Sequence, residues 1–131
     1  MAAVESYPDD LKYHREHDWA KIDGDEAVLG ITWFAADALG ELVHFEPPEV
    51  GGSVTKGQSY GEVESVKAVS DVIAPLSGEV LEVNDQVVGA PETVNADPYG
   101  GGWLIRIRVG EPGEADALLD SGAYRQLLAD Q

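Results

Sequence analysis

Turn-forming residues cut this chain at short intervals, and that spacing constrains its fold more than any other feature. Fifteen glycines and seven prolines punctuate apolar runs that are short throughout, the pattern of a β-rich domain. Asp23-Gly24-Asp25 forms a turn before a strand over Ala27–Ile31. Thr32 stands as an N-cap, Trp33–Leu39 carries apolar residues at helical spacing, and Gly40 stops that helix. Leu42–Glu46 reads as a strand ended by Pro47-Pro48, which cannot continue a central ladder. Strands follow over Ser59–Val66, Val69–Ile73 and Gly78–Val83. Trp103–Val109 alternates apolar and charged residues, as an exposed edge strand would. From about residue 114 the chain is rich in Ala and Leu without proline, and Ser121-Gly122 divides this tail into two short helices. The expected fold is mainly β, a β-sandwich or half-open barrel with a short internal helix and C-terminal helices.

The 131 residues suffice for one domain and not for two cores. An acidic segment over 1–10, partly ordered, precedes a single domain over 11–131. Eight Lys+Arg stand against 25 Asp+Glu, a formal charge of −17. That balance excludes nucleic acid and anionic membrane surfaces as partners, because phosphate binding needs clustered cations. It favours a monomer that docks on positively charged protein surfaces. No cysteine is present, which removes disulfides, thiolate metal sites and a Cys nucleophile. The N-terminal residues lack the basic and apolar regions of a targeting signal, so the chain is read as cytoplasmic, or as a mature mitochondrial chain if its source is eukaryotic.

No catalytic apparatus is visible. His14, His17 and His44 lack metal-site spacing. Gly52–Gly57 resembles a phosphate loop only superficially, since Gln58 stands where lysine is needed and no helix pattern follows. Gly100-Gly101-Gly102 lacks the strand-to-helix transition of a dinucleotide site, and no G-x-S-x-G elbow occurs. Lys67 stands out instead. It lies between two strand-like runs, so that Lys67-Ala68 would form a hairpin tip holding the ammonium in solvent, with Glu62, Glu64 and Asp71 nearby. As an ordinary surface lysine it would make ion pairs worth about 0–1 kcal/mol each; as a modification site it would be the reason for the hairpin.

The stretch Gly61-Glu62-Val63-Glu64-Ser65-Val66-Lys67-Ala68-Val69-Ser70-Asp71, continuing through Ala74–Asn84, closely resembles the lipoyl-attachment region of glycine cleavage system H proteins. His17-Asp18-Trp19, Gly30-Ile31-Thr32, Ala38-Leu39-Gly40-Glu41, Asn95–Tyr99 and Gly102-Trp103 are similar to further blocks of that family, in the same order. The resemblance implies lipoate in amide linkage on Lys67, with Glu64, Val66, Ala68 and Asp71 forming the attachment hairpin. It implies a non-catalytic carrier that moves an aminomethyl group from glycine decarboxylase to aminomethyltransferase, its arm reoxidised by dihydrolipoamide dehydrogenase. A lipoate ligase or lipoyl transferase would modify it.

The family shields its loaded arm in a cleft, and the positions similar to that cleft are Asp18, Ile31, Ala35 and Leu39. An acid in the block similar to His17-Asp18-Trp19 pairs with the amine cation; Asp is shorter than the family's Glu, and Glu16 is placed to compensate. Trp33 and Pro47 depart from the family's usual residues. A biotin carrier is disfavoured because Val66 and Ala68, not methionines, flank Lys67. A lipoate relay to other complexes and a non-carrier acidic binding module are the alternative functions.

Overall fold

A computed structural model describes residues 3–131. Two antiparallel sheets face each other across the main core. The larger sheet is ordered β1 (Lys12–His14), β2 (Asp18–Asp23), β3 (Glu26–Ile31), β9 (Ile105–Val109), β8 (Gly78–Val83) and β5 (Ser53–Val54). The smaller sheet is ordered β4 (Leu42–Glu46), β6 (Ser59–Ser65) and β7 (Val69–Ile73). Neither sheet closes on itself, so the fold is the expected mainly-β sandwich. Helices α1 (Trp33–Leu39), α2 (Asp85–Gly89), α3 (Thr93–Ala96) and α4 (Ser121–Ala129) fill the connections and the tail, with a 3-10 turn over Pro112–Ala117.

Period-2 alternation sorts the apolar residues into two clusters. Leu29, Ile31, Leu42, Phe45, Val63, Val72, Leu76, Val80, Ile105 and Ile107 lie between the sheets, all at most 3% exposed. Trp19 points the other way from Ala20 and joins Tyr7, Leu11, Tyr13 and Tyr124 in a second cluster that involves α4. There the Tyr13 and Tyr124 rings stack at 4.8 Å, and Tyr7 meets Tyr124 edge-on at 5.4 Å, geometries that add to simple burial.

The acidic N-terminal segment is held against this second cluster. Tyr7 is buried, Trp33 Nε1 donates to Ala3 O at 2.8 Å, and the Tyr99 hydroxyl donates to Ser6 O at 2.6 Å. Trp33, one of the departures noted above, therefore serves as an anchor for this segment.

Three expectations need correction. The alternating strand Ile105–Val109 is no edge; it runs between β3 and β8 in the larger sheet. Its outward residues are charged because that face of an antiparallel sheet is wet, and they are matched: Arg106 pairs with Glu26 at 2.7 Å and Glu82 at 3.0 Å, and Arg108 with Glu79 at 3.2 Å. In the tail, the break falls before Ser121-Gly122, which open α4 behind an Asp120 cap that accepts from Ala123 N–H. The strand predicted to reach Val66 ends at Ser65.

Candidate functional site

β6 and β7 pair from Ser59↔Ile73 to Glu64↔Val69, and the three residues Val66, Lys67 and Ala68 make the tip. The tip is thus one residue longer than Lys67-Ala68 alone. Ser65, 4% exposed, closes it by donating its N–H to Ala68 O at 2.8 Å. All three tip residues are exposed, and Val66 is 90% so. Glu64 and Asp71 are exposed as well. Asp71 lies opposite Glu62 and accepts from the Ser59 hydroxyl at 3.2 Å.

Helix α1 links the tip to the other end of the small sheet. Its C-terminal Gly40 adopts φ +85°, and a Cβ there would lie 3.7 Å from Lys67 Cε. The lysine stem therefore passes over the end of α1. Its N-cap Thr32 follows Ile31, and Ile31 stands opposite Asp18 on β2. Seven residues at about 1.5 Å of rise set roughly 10 Å between these ends. Ala35 and Leu39, four apart and hence on one helix face, are half-buried against the main core. Ile31 is itself a core residue, 3% exposed.

Asp18 is 2% exposed. Its Oδ1 accepts from the Ile73 N–H at 3.3 Å, which ties β2 to β7, while its Oδ2 is buried with no partner. Burial pushes the carboxyl well above the usual carboxylate range, against the Ile73 N–H and with a small further push from Glu16. Glu16, exposed in the β1–β2 turn, takes no side-chain hydrogen bond among the described residues and donates its N–H to His14 Nδ1 at 3.1 Å. Sequence reading joined Asp18, Ile31, Ala35 and Leu39; the fold places Asp18 opposite Ile31 and runs α1 onward from there.

A network behind Asp18 escaped the sequence reading. His17 sits at φ +74°, its Nδ1 2.8 Å from the Tyr124 hydroxyl, which is also 2.9 Å from Thr32 Oγ1. Thr32 Oγ1 in turn accepts the Ala35 N–H at 3.3 Å. Burial pushes His17 and His14 below the usual histidine range, opposed by Glu16, so both are neutral at neutral pH. No sequence pattern joins residues 92 and 107 positions apart.

No group of three or more His, Cys, Asp or Glu suited to a metal occurs among the described residues. What the arrangement offers is a lysine exposed at a hairpin tip, a helix whose half-buried Ala35 and Leu39 pack on the main core, and a buried carboxyl with one unpartnered oxygen. These fit an amide-linked lipoyl arm: the stem has a path over Gly40, and the orphaned Oδ2 of Asp18 lacks the partner that a cationic group would supply.

A family model described as glycine cleavage H-protein matches residues 11–131. The glycine cleavage system H protein of Anaeromyxobacter sp. (strain K) is 51% identical over 124 residues, 95% of this chain and 97% of the relative. That of Carboxydothermus hydrogenoformans is 49% identical, covering 95% of each. Among solved structures, a glycine cleavage system H protein from Mycobacterium marinum superposes with a TM-score of 0.83 at 44% identity, over 93% of this chain and 98% of that one.

Proposed function

The chain belongs to the glycine cleavage H-protein family, and from that premise we propose that it is a lipoyl carrier, modified on Lys67 and without catalytic activity of its own. The observation that carries this reading is the position of Lys67: exposed on a three-residue tip, its Cε packed over Gly40 at the end of α1. Bound lipoate supplies a dithiolane that carries an aminomethyl group from glycine decarboxylase to aminomethyltransferase and is reoxidised by dihydrolipoamide dehydrogenase.

The chain's own residues do the rest. Glu64, Val66, Ala68 and Asp71 present the lysine to a lipoate ligase or lipoyl transferase. Ala35 and Leu39 give an arm lying along α1 an apolar wall that excludes water. Asp18 holds an amine cation at the far end, where a charge-assisted contact in a desolvated site outweighs an exposed one. Glu16, exposed in the turn beside it, adds negative charge at the approach. Amidation of Lys67 takes the net charge one unit beyond −17, which strengthens steering towards basic partner surfaces.

We place the carrier domain over 11–131 and the protein in the cytoplasm as a monomer; the relatives named above are bacterial, and no described helix is long and apolar enough to cross a membrane. The test is intact-mass analysis after incubation with lipoate, ATP and a lipoate ligase, followed by peptide mapping. One lipoyl adduct on Lys67 is expected. A folded protein that stays unmodified, beside a control domain that is modified, would overturn the carrier reading.

A further inference from the structure

One pocket of this strongly acidic chain is lined by no carboxylate. It encloses about 310 Å³ between the β1–β2 turn, the β5–β6 turn and the C-terminal tail. Other depressions of the surface hold Asp37, Glu41 and Glu92, or Glu5, or Asp130. This one instead gathers two of the eight Lys and Arg, Arg15 and Lys56, with one of the three histidines, His14. Neither Arg15 nor Lys56 makes an ion pair among the described residues, although acids are in large excess. Like charges left together without an acid raise each other's energy, a cost that an anion from outside would remove.

The pocket is built where several segments are pinned to one another. Tyr13 on β1 and Leu119 exchange both backbone hydrogen bonds, at 2.8 Å each, which fixes the tail against the edge of the larger sheet. Lys56 stands in the turn that Gln58 N–H closes on Thr55 O at 3.0 Å, and its own N–H donates to Ser77 Oγ at 2.9 Å. Ser77 N–H and O–H donate in turn to Glu114, at 2.8 and 3.0 Å, within the 3-10 turn that leads to Leu118. The lysine of the Gly52–Gly57 stretch, where no helix follows to make a phosphate loop, is thus tied to the tail by a chain of hydrogen bonds.

The apolar walls come from both clusters. Leu118 packs on the main core, Leu119 and Leu127 on the second, and all three are half-buried. Tyr13, wholly buried, gives the floor, while Arg15, exposed, stands at the mouth. His14 accepts the Glu16 N–H on Nδ1 at 3.1 Å, so its ring proton sits on Nε2 as a further donor.

We propose that this pocket binds a small aliphatic monocarboxylate, with its chain against Leu118, Leu119 and Leu127 and its carboxylate at Lys56 and Arg15. Size decides against a large occupant, since about 310 Å³ lies at the lower end of ligand pockets. Net charge decides against a polyanion: a chain at −17 repels every negative charge brought from solvent, and two local cations offset one carboxylate better than several. Burial of the apolar chain supplies the affinity, and the cations fix which end enters. None of these residues is Lys67, Asp18 or part of α1, so the site stands apart from the carrier reading.

The experiment is an amide NMR titration of the full unmodified chain with sodium hexanoate, beside acetate and 1-hexanol. Hexanoate is expected to give saturable shifts in the millimolar range or tighter, largest at residues 13–15, 56 and 117–119. Acetate lacks the chain and hexanol the charge, and each should bind about tenfold more weakly. Lys56→Gln and Arg15→Gln break no ion pair, so the double variant should keep its thermal midpoint while its hexanoate affinity falls to that of hexanol. Shifts that are unsaturable or scattered over the surface would overturn the proposal. So would acetate or hexanol binding as tightly as hexanoate, or full hexanoate affinity in the double variant.

Discussion

The indole of Trp19 lies over Gly30, its cross-strand partner, so closely that a Cβ on residue 30 would stand 2.6 Å from Cε2. The ring is held from its far side too, Nε1 donating to Pro98 O at 3.1 Å. This pair flanks Asp18↔Ile31, so the glycine lets β2 and β3 keep their register where Asp18 is positioned. Gly30→Ala is therefore expected to cost roughly 2–3 kcal/mol through overpacking, read as a lowered urea midpoint with unchanged slope. An unchanged midpoint would mean that the indole swings aside freely.

Lys67→Arg keeps the positive charge and touches no buried contact, so its thermal midpoint should match wild type. It removes the amine that an amide bond requires, and glycine–bicarbonate exchange with the decarboxylase is expected to vanish. Retained exchange would show that another residue carries the arm.

Gly40 combines φ +85° with ψ −168°, a region that only glycine occupies without strain. Its N–H also closes α1 on Ala36 O at 3.0 Å. Gly40→Ala should lose about 1–3 kcal/mol of stability, measured by chemical denaturation, and should shift amide resonances of Lys67 because the new methyl lies against Cε. Chemical shifts at residue 67 identical to wild type would separate the lysine stem from α1.

The sign of the Asp18 effect on stability is fixed by its raised ionisation range. The folded state holds the proton longer than the unfolded chain does, so stability falls as pH rises from the unfolded carboxylate range through the folded one. Asp18→Asn keeps an acceptor for the Ile73 N–H and cannot ionise. It should be more stable than wild type at pH 8, by a few degrees in Tm, and the gap should close in acid. A gap independent of pH would show that burial does not oppose ionisation of Asp18.

His17 acts in the opposite direction. Held neutral in the fold, it binds a proton more readily when unfolded, so its contribution is lost as pH falls below about 6.5. The second cluster around Tyr124 should loosen first, seen as lost near-UV dichroism of the stacked tyrosines. His17→Asn, which tolerates φ +74°, should flatten that acid-side decline. The same steep decline in the variant would point to His14 instead.

Much of this molecule is legible from residues alone. Thr32 and Gly40 bracket α1 as read, because the Thr32 side chain caps the Ala35 N–H and Gly40 supplies the positive φ. The hairpin around Lys67 is legible from the β-forming runs on either side of it, not from its tip, since Lys-Ala is no preferred turn dipeptide and Ala and Lys are good helix formers. What was hidden depends on distant partners. α2 and α3 are too short to show a period, and they stand on Asn84 and Asn95, whose side chains cap Gln86 N–H and hold Leu42 N–H and Gly40 O. Ile105–Val109 looks like an edge because the acids that neutralise its arginines come from residues 26, 79 and 82.

The small sheet is contiguous, built wholly from residues 42–73, whereas the second cluster joins residues 7–19 to 124. On a ribosome, β4, β6 and β7 can pair while α4 is still unmade, for local contacts form ahead of distant ones. The hairpin bearing Lys67 is then available to a modifying enzyme before Tyr124 has locked His17 and Thr32 behind Asp18. On the carrier reading proposed above, a nascent chain can thus acquire its arm before the berth for that arm exists.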